Sequence, residues 1–253
     1  MAHAASLLGL RAAVLDLDLM FGNLYDLLGV DAAAPEGDVL AVGFLEVLRV
    51  DAPHDMATLI EPSAAGALAE PDIVAASMRV APGVTLWGPV AAPEKAELMA
   101  RPVELLLDVL RRESDVVFVD TSVFWGDAVA AAVAASDRCL VVGDAAVSSA
   151  TSASRVIELA SRVGVPRTRM SAVFNRYGAR GADEDVAMRF EIACALSSKI
   201  RIADGGQDLA ALMAFGRADE AVGQTSAFAT SVREATREML VELGCAVGPW
   251  SDM

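Results

Sequence analysis

Residues 13–24 read AVLDLDLMFGNL, an apolar run that ends by placing two aspartates two positions apart. In an extended strand, residues i and i+2 point the same way, so Asp16 and Asp18 share one face at the strand's C-terminal end. Two carboxylates aimed together repel each other unless a cation, a phosphate-bound metal or a proton lies between them. That end of the strands is also where open α/β sheets bind ligands. A ligand at Asp16 and Asp18 is therefore the first expectation.

Outward from this strand, short β-rich runs alternate with alanine-rich helical runs, the pattern of a mostly parallel sheet with helices on both faces. The predicted strands are Ala12–Asp18, Val84–Gly88, Asp115–Asp120, Cys139–Gly143, Met170–Asn175 and a weaker Lys199–Ile202. Most are continuous apolar runs, as strands covered on both faces should be. Helices are predicted at Glu94–Arg112 (broken at Pro102), Asp127–Ala135, Ser148–Val163, Asp183–Leu196, Gln207–Phe215 and Ser226–Leu243. Ser148 suits an N-cap and Gly164 a C-terminal stop. The segment 32–81 is cut into short pieces by Pro35, Pro53, Pro62 and Pro71 and resists assignment. No repeat or low-complexity linker divides the chain, so one domain over 1–253 is expected.

Composition narrows the function. The net charge is −15, and no Lys/Arg-rich run is present. Nucleic-acid backbones and anionic membrane surfaces both call for basic patches, so neither is expected as a partner. Although 55% of residues are hydrophobic, no apolar run is long enough to cross a bilayer. The start, MAHAASLLGLR, lacks the basic region of a signal peptide. Cys139, Cys194 and Cys245 are isolated and suit a reducing cytoplasm. His3 and His54 are the only histidines, too few for most zinc sites, and a His-based triad is not expected.

Two further strand ends carry chemistry. DVVFVDTS (115–122) closes on Asp120, the form in which P-loop NTPases present a magnesium-holding carboxylate. Aspartate also ends many strands simply because it suits turns. SAVFNRYG (171–178) closes on Asn175 and Arg176, and an asparagine there can pair with a purine edge through its donor and acceptor.

The order LDLD, GVTLWGPVAAPEKAEL, DVVFVDTS and AVFNR resembles the MinD/ParA family of deviant P-loop ATPases, and within it the CpaE/TadZ branch of pilus assembly. The likeness runs over nearly the whole chain through Asp16–Gly22, Val84–Leu98 and Val173–Arg176. It implies a P-loop NTPase-like fold, with Asp18 and Asp16 as the catalytic carboxylates near the attacking water. Asp120 and Asp18 would hold the metal, and Asn175, Arg176 and Asp204 would line the adenine side. ATP and Mg2+ are the implied cofactors, a homodimer the implied assembly, the cytoplasm the implied location, and pilus or secretion proteins the implied partners. At Ile202-Ala203-Asp204 the acid of the family's Pro-Asp turn is kept and the proline is lost.

The family's phosphate-binding loop has no counterpart. No GxxxxGK[ST] occurs, and the only lysines, Lys95 after Pro-Glu and Lys199 after Ser-Ser, fall outside any such loop. His3–Leu8 reads as the tail of a helix, where the family's P-loop helix ends. The expectation is thus a domain incomplete at its N-terminus, lacking the P-loop strand, with ATP hydrolysis lost in the chain as given. ATP and Mg2+ would bind only if that loop were supplied. The family resemblance also implies a gap in the sheet between Asp115–Asp120 and Cys139–Gly143, lined by apolar side chains.

Alternative readings are a non-catalytic interaction scaffold of the same fold and a haloacid-dehalogenase-type phosphatase. The phosphatase would share the DxD strand end but finds Leu19, Met20 and Phe21 after it. A dinucleotide-binding Rossmann enzyme lacks its GxGxxG. The last helix balances Arg233 and Arg237 against Glu234, Glu238 and Glu242, which reads as a helix packed on its own domain and not a lipid anchor.

Overall fold

A computed structural model describes residues 1–28 and 54–250. The chain opens with α1 (Ala2–Leu7), β1 (Ala12–Leu17) and α2 (Leu24–Leu27), and resumes with α3 (Ile60–Ala64) and α4 (Glu70–Ala75). Then come β2 (Ser77–Ala81), β3 (Val84–Trp87), α5 (Ala100–Glu113), β4 (Val116–Thr121), α6 (Asp127–Ala135) and β5 (Cys139–Gly143). The last third holds α7 (Ser149–Arg162), β6 (Met170–Tyr177), α8 (Glu184–Cys194), β7 (Ser198–Ala203), α9 (Gly206–Ala214) and α10 (Ala227–Glu242).

The α/β class with a mostly parallel sheet is as the sequence implied. β1 pairs in parallel with β3 and β4, and β6 pairs in parallel with β5 and β7. β2 is the exception: an antiparallel edge strand on β3, joined to it through Pro82 and Gly83. It lies in the proline-cut segment, where five residues give too short a pattern to read; residues 32–53 of that segment lie outside the described residues.

β1 shows why both faces must be covered. Its odd residues Ala13, Leu15 and Leu17 enter the core built with α5, α6, α7 and α8. Its even residues Ala12 and Val14 enter the opposite core with Leu8, Leu86 and Leu240. Helix boundaries follow local chemistry. Asp183 caps α8 by accepting from Val186 N at 3.1 Å, and Ser226 caps α10 by accepting from Ala229 N at 3.0 Å. Ser148 makes no such side-chain cap on α7; the neighbouring Ser149 hydroxyl instead accepts from Asp144 N. The break expected at Pro102 lies earlier. A 3-10 turn over Pro93–Leu98 gives way to α5 at Ala100, leaving Pro102 in the first turn, where a missing N–H costs no helical bond.

The sheet is in two pieces, ordered β2-β3-β1-β4 and β5-β6-β7. No ladder joins β4 to β5 among the described residues, as the family resemblance implied. Between them lies a cleft of about 500 Å³, walled by Val116–Val119 on one side and Cys139–Val141 on the other. Helix α1 ties the halves together across one face: Ala5 and Leu8 join the core of β1 and β3, while Ala4 joins that of β6 and β7. No helix among the described residues is long and apolar enough to cross a membrane.

Candidate functional site

Strand parity and register assemble the acidic site. Asp16 and Asp18 continue the even series of β1, and the β1–β4 register sets Asp16 beside Asp120. Paired residues on neighbouring strands project to the same face, so the three carboxylates lie on one face at the C-terminal ends of two adjacent strands. Asp16 is 2% exposed. Its Oδ1 accepts from Asp18 N at 3.0 Å, and its Oδ2 is buried with no partner. Asp18 Oδ1 accepts from Phe21 N at 3.3 Å, which turns the loop after β1 back over the strand end.

Two glycines make this enclosure possible. A Cβ on Gly22 would stand 2.6 Å from Asp16 Oδ2, and one on Gly88, where φ is +143°, would stand 2.7 Å from Asp16 Cβ. The Gly88–Ala91 turn is itself held by Asp55, whose Oδ1 accepts from Ala57 N at 2.8 Å and Ala91 N at 3.1 Å.

Burial is the main reason that the Asp16 carboxyl is pushed up to about 6, with the charges of Asp120 and Asp18 adding to it and the bond from Asp18 N opposing it. Asp120 is raised by burial and by Asp18. Tyr25, whose hydroxyl is buried without a partner, is pushed up to about 12 by burial and then by the charges of Asp16 and Asp55. Among the described residues, no arginine or lysine forms an ion pair with Asp16, Asp18 or Asp120. Among the described residues the site is a patch of negative charge without a basic ion-pair partner.

The expected adenine-side residues form a separate group on the other half of the sheet. Asn175 ends the apolar run of β6, and its Oδ1 accepts from Arg176 N at 2.9 Å, with Arg176 in the left-handed region at φ +58°. The Arg176 guanidinium donates to Asp204 at 3.1 Å, and Asp204 N donates to Tyr177 O at 2.9 Å. Arg176 and Asp204 are thus partners of each other across the ends of β6 and β7, with the cleft separating this half of the sheet from the acidic half.

The carboxylate half fits a magnesium–nucleotide. Magnesium bound with a nucleotide takes one or two protein carboxylates and fills its shell with phosphate oxygens and water. The orphaned Asp16 Oδ2 beside Asp18 and Asp120 offers such donors, although no group of three or more metal-type side chains is gathered for metal binding among the described residues. The phosphate half does not fit. Lys95 stands in the 3-10 turn before α5 and Lys199 lies 4.0 Å from Glu191, and neither forms an ion pair with Asp16, Asp18 or Asp120 among the described residues.

Sequence reasoning missed Tyr25, Gly22, Gly88 and Asp55 as parts of the site. Gly22 stood inside the quoted motif, and its need for a glycine could have been suspected there. The other three reach Asp16 only through the fold.

No protein-family model and no curated protein sequence matches the chain. Solved structures do match in fold. A ParA family ATPase from Chlorobium tepidum superposes with a TM-score of 0.66 at 16% identity, covering 93% of this chain and 91% of that one. The septum site-determining protein MinD from Pyrococcus horikoshii, solved with Mg-ADP, gives 0.66 at 17% identity over 96% of this chain and 90% of that one. A chain of the MinC:MinD cell division protein complex of Aquifex aeolicus gives 0.60 at 18% identity over 95% of this chain and 88% of that one. The fold is that of the MinD/ParA ATPases.

Proposed function

We propose that this chain is a MinD/ParA-type protein of the CpaE/TadZ branch that works in the cytoplasm as a homodimer, positioning or assembling a pilus or secretion machine. In the chain as it stands, ATP hydrolysis is lost. The observation that carries the reading is the placement of Asp16, Asp18 and Asp120 at adjacent strand ends of this fold, with no arginine or lysine paired to them among the described residues. Asp18 and Asp120 are the residues to hold Mg2+, with Asp16 beside them, and Asn175, Arg176 and Asp204 are those to face adenine. Bound Mg2+ would supply charge neutralisation at phosphate oxygens. The CpaE/TadZ assignment draws on the order of the motifs from Asp16 to Arg176.

Around the strand ends the surface is apolar. Phe21 is 77% exposed and Phe124 68%, with Met20, Val123 and Val147 also exposed. Exposed apolar side chains in the loops after β1, β4 and β5 suit burial against another protein, here the second copy of the dimer. A non-catalytic scaffold of the same fold is favoured by the same missing cradle, since docking needs the surface and not the turnover.

The reading is tested by incubating the pure 253-residue protein with ATP and Mg2+. Phosphate release is expected to match a protein-free blank, because most contacts that stabilise a transferring phosphoryl group come from the cradle. Turnover above the blank that disappears in Asp120→Ala would overturn the loss of hydrolysis.

A further inference from the structure

Among the described residues five buried side-chain polar atoms lack a hydrogen-bond partner, and two of them, Asp16 Oδ2 and the Tyr25 hydroxyl, stand at the same end of β1. Tyr25 is the second residue of α2, which begins just after Gly22, the glycine whose added Cβ would meet Asp16 Oδ2. The N–H of Leu24, the first residue of α2, favours the charged form of the Asp16 carboxyl, as Asp18 N–H does. The Tyr25 ring belongs to the core that holds Val14 of β1 and Leu86 of β3. Val14 and Asp16 project to one face of β1, so the ring lies on the face that carries Asp16. The charges that bear on the Tyr25 hydroxyl are those of Asp16 and then Asp55. Asp55 is already engaged, its Oδ1 accepting from Ala57 N and Ala91 N.

The two orphaned atoms are chemically complementary. A phenol hydroxyl has one hydrogen to donate, and an ionised carboxylate oxygen only accepts. They are not bonded to each other in the structure. One buried water that accepts from Tyr25 and donates to Asp16 Oδ2 answers both, whereas leaving them unmet carries the desolvation cost of each. Oδ1 of Asp16 is already held by Asp18 N at 3.0 Å. With the bridge in place the carboxylate is fixed at both oxygens and cannot turn, and Asp18 and Asp120 are left to face what binds.

We propose that Tyr25 is a positioning residue of the acidic site, its hydroxyl holding Asp16 Oδ2 through one buried water so that Asp18 and Asp120 present their oxygens to a divalent cation. The cation rests on the reading given under Proposed function; the bridge between Tyr25 and Asp16 stands without it.

Tyr25→Phe removes the hydroxyl and keeps the ring. Its folding constant, from urea unfolding, is expected to fall about threefold to tenfold, the worth of one hydrogen bond. A constant that is unchanged or higher overturns the proposal, because deleting an unpartnered buried hydroxyl relieves a cost. Tyr25 and Tyr177 are the only tyrosines, so carbon NMR of protein labelled at tyrosine Cζ reads each of them. The Tyr25 resonance is expected to move in Asp16→Asn while that of Tyr177, which donates to Glu184, stays. A Tyr25 resonance that stays in place overturns the bridge. MgCl2 is then titrated into the unaltered protein and Tyr25→Phe. It is expected to shift the Tyr25 resonance in the first and to bind the second about tenfold more weakly, as loss of an outer partner of a metal-site carboxylate does. Equal Mg2+ affinity in the two proteins overturns the positioning role. The expected stability loss and Asp16→Asn shift, with no response to Mg2+ in either protein, uphold the bridge and remove the cation reading.

Discussion

Arg201→Ala is expected to cost about 3–5 kcal/mol, which at this chain length lowers the melting temperature by roughly 10 °C. Arg201 on β7 grips Glu191 of α8 with both ends of its guanidinium, Nε at 2.6 Å and a terminal nitrogen at 3.2 Å. Its third nitrogen holds Glu184 at 2.6 Å, and the guanidinium lies 5.2 Å over the Tyr177 ring. Glu191 is only 6% exposed. Removing the arginine therefore strands a buried carboxylate, and Lys199 at 4.0 Å is too distant and too exposed to replace the two-point grip. The pair in itself adds little, because desolvation offsets most of its attraction. Arg201→Ala combined with Glu191→Ala should accordingly recover much of the loss. Urea unfolding of the three variants checks this; a double variant as unstable as the sum of the singles would show that the two side chains act separately.

Asp16→Asn is expected to raise stability at pH 7 by about 2–3 kcal/mol. The folded carboxyl is pushed up to about 6 from 3.8, mainly by burial. Between those values the unfolded chain releases a proton that the folded chain keeps. Stability is therefore lost as pH rises from about 4 to 6, and the whole cost is present above 6. The asparagine carries no charge to bury, while its carbonyl can still accept from Asp18 N. Denaturation midpoints of the two proteins should coincide near pH 4 and separate above pH 6. A constant difference between pH 4 and 7, or a less stable variant at pH 7, would show that the Asp16 charge is not what the fold is bearing.

Several elements could be read directly from sequence because their signals are local. The run at 12–18, the alanine-rich 127–135, and the helices begun at Asp183 and Ser226 each follow a local pattern that neighbouring residues decide, whereas the cap expected at Ser148 is not made by its side chain. The spacing of Asp16 and Asp18 was enough to put them on one face. The short antiparallel β2 and the start of α5 were not legible, since one depends on pairing with β3 and the other on a 3-10 turn ahead of it.

By itself, then, the sequence determined the layer architecture and the strand ends that carry Asp16, Asp18, Asp120 and Asn175. Tertiary structure alone decided which of those ends are neighbours. The register of β1 against β4 brings Asp120 beside Asp16, whereas Arg176 turns to Asp204 on the far half of the sheet. It also decided that Gly22 and Gly88 close over Asp16 and that β4 and β5 stand apart. The reason is one of range: a strand's faces follow from residues two apart, but its partners are chosen by contacts about a hundred residues away, where no local pattern reports them.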